Sequence, residues 1–174
     1  MGILKRLRKE EKINFEERKA IFSKDGKYRY LLSRIWDKNL PKITFIMLNP
    51  STADGVKDDP TISKCIYYAR IWGYGGLYVG NLFAFKATHP EDLLNANEPI
   101  GQDCDHYLFW MRDQSELILA AWGNHGSFMS RASIVYHMMG KIYCLDITKS
   151  GQPKHPLYLS NRLKPIPYAP RRKF

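Results

Sequence analysis

An α/β fold is predicted by three features of the chain. Four short apolar runs, residues 43–48, 77–81, 117–122 and 141–146, have the length and β-favouring composition of buried strands. The segments between them carry helical spacing of apolar residues, and strands joined through helices pair in parallel with helices on both faces. Residues 28–36, aromatic-rich and loosely alternating, add a strand that the turn at 37–41 folds back antiparallel to the run at 43. The expected architecture is a three-layer α/β/α sandwich: a central, mostly parallel four-stranded sheet plus one N-terminal antiparallel strand.

A chain of 174 residues suits one domain with a real core. Residues 25–174 are expected to form it. Residues 1–24 read as a basic arm in which Leu4, Leu7, Ile13 and Phe15 stand among charges, and Lys5, Arg6, Arg8 and Lys9 form a cluster able to lie against phosphates.

The first central run leads into Asn49-Pro50-Ser51-Thr52-Ala53-Asp54-Gly55, a turn-rich loop ending at Asp58-Asp59-Pro60. Pro60 fits the first turn of a helix capped by Asp58 or Asp59, with Ile62, Ile66, Ala69 and Ile71 on its buried face. Trp72-Gly73-Tyr74-Gly75-Gly76 stops that helix, and the next strand ends in Asn81. A short helix at 91–95 and a longer one at 101–114, carrying Tyr107, Leu108, Trp110 and Met111, precede the third strand. That strand runs into Trp122-Gly123-Asn124-His125-Gly126; a helix at 128–139 and the fourth strand follow. The tail from 148 has little periodicity and holds Lys154-His155-Pro156-Leu157-Tyr158-Leu159-Ser160.

Composition narrows the partners. The net charge of +10 favours a polyanion, nucleic acid or nucleotide, over a neutral ligand. Cys65, Cys104 and Cys144 stand too far apart in sequence for a zinc ribbon or a disulfide framework, so a reduced, cytoplasmic setting is expected. Residues 1–12 are charged and lack the apolar stretch of a secretory signal, and no run is long enough to span a membrane. Gly73, Gly75 and Gly76 precede a strand, so they do not have the strand-to-helix setting of a phosphate loop. The histidines show no zinc spacing.

In a parallel sheet the carboxyl ends of all strands open on one side, which gathers Asn49, Asn81, His125 and His155 on one rim. Their order, strand then Asn-Pro, strand ending in Asn81, strand ending in Trp122-Gly123-Asn124-His125, and a late His155-Pro156, resembles the uracil-DNA glycosylase superfamily. The Asn-Pro-Ser-Thr-Ala-Asp and Lys-His-Pro-Leu-Tyr-Leu strings are also similar to a bacterial and phage family of unknown function, over about residues 28–163.

The glycosylase resemblance implies a uracil-DNA glycosylase-like fold and a hydrolase that releases a deaminated or modified base from DNA. Asn49 would hold the attacking water, Asn81 would read a base edge with its paired donor and acceptor, and His155 would donate to the departing base. Pro50, Ser51, Asp54, Phe83 and His125 complete the expected substrate-binding set, His125 being the more structural; Lys154, Ser160, Arg171 and Arg172 are the expected phosphate contacts. No metal and no cofactor are implied, and a monomer is expected. The sequence departs from the superfamily pattern at Leu48, at Ser51-Thr52-Ala53-Asp54 and at Pro156-Leu157-Tyr158.

Two alternatives stay open. Asp54, Asp58 and Asp59 with Thr61 are oxygen ligands that suit a divalent ion in a nucleotide or modified-nucleoside hydrolase, unless they serve as helix cap and turn. A non-enzymatic module would use the same pocket only to bind a base.

Overall fold

The structure, a computed structural model, describes residues 12–171. The cluster Lys5, Arg6, Arg8 and Lys9, and Arg172, lie outside the described residues. The sheet has seven strands: β1 (Glu17–Phe22), β2 (Arg29–Ile35), β3 (Lys42–Met47), β4 (Gly76–Asn81), β5 (Leu117–Ala120), β6 (Tyr143–Cys144) and β7 (Ile166–Pro167), in spatial order β1-β2-β4-β3-β5-β6-β7. The helices are α1 (Pro60–Ile71), α2 (Pro90–Leu94), α3 (Cys104–Gln114) and α4 (Arg131–Met139).

The four inner strands β4, β3, β5 and β6 are parallel, as the alternation of strand and helix patterns requires. Because β3 sits between β4 and β5, the chain leaves it first in one direction and later passes it in the other. Right-handed crossovers then place α1 on one face and α3 and α4 on the opposite face. Two apolar layers follow. Ile43, Phe45, Met47, Leu77 and Val79 meet Ile62, Cys65, Ile66 and Ala69 of α1. Ile46, Ile118 and Ala120 meet Leu108 and Met111 of α3 and Val135 and Met139 of α4. Gly80 lets α3 approach: a Cβ there would sit 2.5 Å from the Met111 methyl and 2.8 Å from Leu108.

The sheet is wider than the sequence predicts, and its antiparallel partner differs. Residues 28–36 form a strand, but β2 pairs with β4 and β1 instead of β3. Both edges of β3 are occupied by β4 and β5, so the returning strand takes the outer edge of β4. The 37–41 turn is fastened there, with Trp36 and Asp37 amides donating to the Gly75 carbonyl and the Gly75 amide to the Pro41 carbonyl. A Cβ on Gly75 would lie 2.1 Å from the Asp37 carbonyl oxygen, so that approach needs glycine. β1 lies within the span expected to be an arm; its charged residues Glu17, Arg18 and Lys19 suit a sheet edge open to water. β7 closes the other edge from within the aperiodic tail, anchored by buried Tyr168, whose hydroxyl donates to the Gly151 carbonyl at 3.2 Å.

The helix expected at 128–139 begins only at Arg131. Residues Asn124–Ser130 form a kinked 3₁₀ segment in which Met129 and Ser130 take left-handed φ values of 51° and 55°. No helix among the described residues is long and apolar enough to cross a membrane.

Candidate functional site

Two buried polar side chains lie on the α1 side of the sheet at its carboxyl rim, Asn81 by strand alternation and Arg29 by its bond to the 53–54 loop, and Asn49 follows the end of β3 there. Leu77 and Val79 face α1 and Gly80 faces α3, so Asn81 returns to the α1 side. Met47 ends β3 facing α1 and Leu48 packs in the α3 layer; Asn49 follows in the bend, its side chain turned to the Ala87 carbonyl. Met47 and Asn81 are register partners, which puts Asn49 two residues, roughly 7 Å, farther along. On the other flank of β4, Arg29 sends Nη1 to the carbonyl of Ala53 at 2.7 Å, and Ala53 belongs to the α1 layer.

Asn81 is 3% exposed, and neither its amide nitrogen nor its amide oxygen has a hydrogen-bond partner. A buried amide left in this state costs about 1–3 kcal/mol per unmade bond. Its backbone is, by contrast, firmly held. The Cys104 thiol, kept protonated because burial raises its pKa to about 11, donates to the Asn81 carbonyl at 3.4 Å. Buried Arg131 donates from Nε to the Leu82 carbonyl at 2.8 Å and pairs with Asp105.

Asn49 donates from Nδ2 to the Ala87 carbonyl at 2.7 Å and to the Pro50 carbonyl at 3.2 Å. Those bonds fix the amide orientation and leave Oδ1 as an acceptor. His155 accepts at Nδ1 from the Leu157 amide at 3.3 Å, so the neutral ring carries its proton on Nε2. Burial lowers the His155 pKa, and the charge of Asp59 acts the other way. The ring nevertheless keeps an accessible edge. Its loop is tied to the end of β5: the Trp122 indole donates to Gln152 Oε1 at 2.8 Å, and the Gly123 amide to the Pro153 carbonyl at 2.8 Å.

The three loop carboxylates do separate structural jobs. Asp59 caps α1 by accepting from the Ile62 amide at 2.8 Å. Asp54 accepts from the amides of Val56 and Lys57, both at 2.7 Å, and these bonds lower its pKa. Asp58 binds Arg34 at 2.8 Å and Arg18 at 3.1 Å. Among the described residues no group of three or more His, Cys, Asp or Glu is placed to hold a metal ion. The cap and turn roles are therefore the ones the geometry displays.

The remaining sequence-predicted residues scatter. Ser51 and Asp54 line an open cleft of about 630 Å³ together with Ala53, Lys86 and Asp92, and Pro50 is buried beside it. Phe83 is fully buried in the α3 layer against Phe128, so its ring is not available to a ligand. His125 is exposed on the 3₁₀ segment. Lys154 is paired with Asp146 at 2.6 Å, and Arg171 donates to the Lys149 carbonyl at 3.0 Å. Ser160 accepts the Tyr68 hydroxyl on its carbonyl at 2.9 Å and the Arg162 amide on Oγ at 3.3 Å. A larger cleft, about 760 Å³ between the β1–β2 turn and residues 98–105, contains none of the predicted residues.

Sequence reasoning missed Arg29, Arg34 and Arg131. The available signal was the presence of two arginines inside residues 28–36, a run otherwise suited to burial; Arg131 gave no such signal.

A family model described as "Protein of unknown function (DUF1643)" matches residues 29–157. No curated protein and no solved structure matches the chain.

Proposed function

The chain belongs to the DUF1643 family, and we propose that it recognises a nucleobase through Asn81 and hydrolyses the N-glycosidic bond that holds it, in a uracil-DNA glycosylase-like fold. The observation that carries this is the Asn81 amide, buried with donor and acceptor both unpaired. A base edge offers the matching acceptor and donor side by side, so one ligand would satisfy both atoms.

Asn49 and His155 have the chemistry for the rest of the reaction. Cleavage leaves an oxocarbenium-like sugar and an anionic base. Asn49 Oδ1 would accept a hydrogen bond from water and aim its lone pair at the sugar. His155 Nε2–H would donate to the departing base as charge develops, and its lowered pKa keeps the ring neutral and suited to that task. Asn81 is 3% exposed, so a base reaches its amide only if the loops at the sheet rim shift. A base taken from a duplex must also be flipped out, at a few kcal/mol. The excess of basic residues favours the phosphate backbone.

The test is mass spectrometry of bases freed from damaged and phage-modified DNA, in EDTA. The parent should release a base, and Asn49→Ala and His155→Ala should each release it orders of magnitude more slowly with nearly unchanged melting temperatures. Release that requires a divalent ion, or equal release by parent and variants, contradicts the mechanism; base-dependent binding with no release reduces the protein to a recognition module.

A further inference from the structure

Three arginines are buried among the described residues, and they are not satisfied alike. Arg34, fully buried, meets Asp58 through Nε and Nη2, the Ser33 carbonyl through Nη1 and the Asp54 carbonyl through Nη2. Arg131 meets Asp105 and the Leu82 carbonyl. Arg29 is 3% exposed and has no carboxylate within ion-pair distance among the described residues; it holds only the Ala53 carbonyl, and its Nε has no partner. Burial lowers its pKa to about 10, with Asp59 and Asp54 opposing that shift from farther away and Arg34 adding to it. Arg29 is still charged at neutral pH.

A buried guanidinium without a counter-ion is costly, and its effective penalty is several kcal/mol. It lies on β2, the strand next to the one that ends in Asn81, and reaches to the α1 side, so two unsatisfied buried polar groups stand on adjoining strands near the carboxyl rim. We propose that Arg29 is a ligand-binding residue of this site, and that the ligand brings a negatively charged group which completes the ion pair that the protein leaves open. The anion has two possible sources, a nucleotide phosphate or the ionised ring of a base. The proposal rests on the reading of the Asn81 region as a ligand pocket, and it does not require base release.

The bond from Arg29 to Ala53 gives the charge a second consequence. Ala53 lines the open cleft, so an anion that engages Nε also steadies the guanidinium that holds that loop.

The experiment is isothermal titration calorimetry of the full chain at neutral pH with four probes: inorganic phosphate, a nucleoside 5′-monophosphate, uracil as a neutral base and xanthine as a partly ionised one. The parent, Arg29→Lys and Arg29→Met are compared. At least one anionic probe should bind the parent, bind Arg29→Met at least tenfold more weakly and keep most of its affinity in Arg29→Lys. Phosphate-bearing probes responding alone identify a phosphate, and xanthine responding alone identifies a base anion. Without ligand, Arg29→Met should melt at or above the parent temperature, because an unpaired buried charge is removed.

Failure of every anionic probe to bind, equal affinity in parent and Met variant, or a Met variant melting several degrees lower would each overturn the proposal. Arg29-dependent phosphate binding by a protein that frees no base would retire the glycosylase mechanism and leave this inference standing; base release indifferent to Arg29 would do the reverse.

Discussion

Arg29 and Arg34 leave the same strand for the same side of the sheet, and the protein treats them in opposite ways. Arg34 is enclosed by a carboxylate and loop carbonyls, with Arg18 joining Asp58 and the Val56 carbonyl from the edge strand. That network closes: its cation has an anion, and its bonds hold the 54–58 loop to the sheet. The Arg29 and Asn81 region stays open, with a cation that lacks a counter-ion and an amide that lacks both partners. Buried polar groups in folded proteins are nearly always paired, as they are in the first region; the unpaired groups of the second are the ones the proposed ligand would satisfy.

The contrast can be broken by mutation. Asp58→Ala removes the counter-ion of a fully buried arginine, and such a break typically costs about 3–5 kcal/mol. Urea unfolding should show a loss of that size, and a loss under about 1 kcal/mol would mean that the loop network is not structural. Asp59→Ala, which removes the α1 cap bond to Ile62 and a charge that acts on Arg29 and His155 only from a distance, should cost about 1 kcal/mol in the same assay. If it costs as much as Asp58→Ala, Asp59 does more than cap the helix.

The smallest effect concerns pH. His155 has a folded pKa below its ordinary value of 6.5, with burial outweighing the pull of Asp59. The unfolded chain therefore takes up a proton more readily than the folded one once the pH drops below 6.5. The His155 contribution is fully present above that value and is lost as the pH falls toward the folded pKa. His155→Gln should flatten this part of the stability curve and leave it unchanged above pH 7.5. Coincident curves for parent and variant across the acid range would show that the ring is not desolvated.

The inner sheet was legible in sequence because apolar runs and helical spacing are local signals. Pro60 with Asp58 or Asp59 as its cap, and the polar residues Asn49 and Asn81 after two strands, could be placed for the same reason, and the structure chooses Asp59. The partner of β2 was not legible, because two strands joined by a short turn ordinarily pair with each other, and only the occupied edges of β3 forbid it here. β1 and β7 were hidden by charge and by the aperiodic tail. The run at 141–146, expected as a strand, forms only the two-residue β6. Phe83, expected to bind substrate where the chain leaves β4, turns into the α3 layer instead. Arg29 was invisible as a site residue because its importance lies in a missing partner, and pairing is a property of three dimensions.

The central claim is that Asn81 keeps its amide unpaired for a ligand, and base release by Asn81→Ala tests it most directly. With folding confirmed by urea unfolding within about 1 kcal/mol of the parent, or above it, release should fall to background. Release at the parental rate would contradict the account.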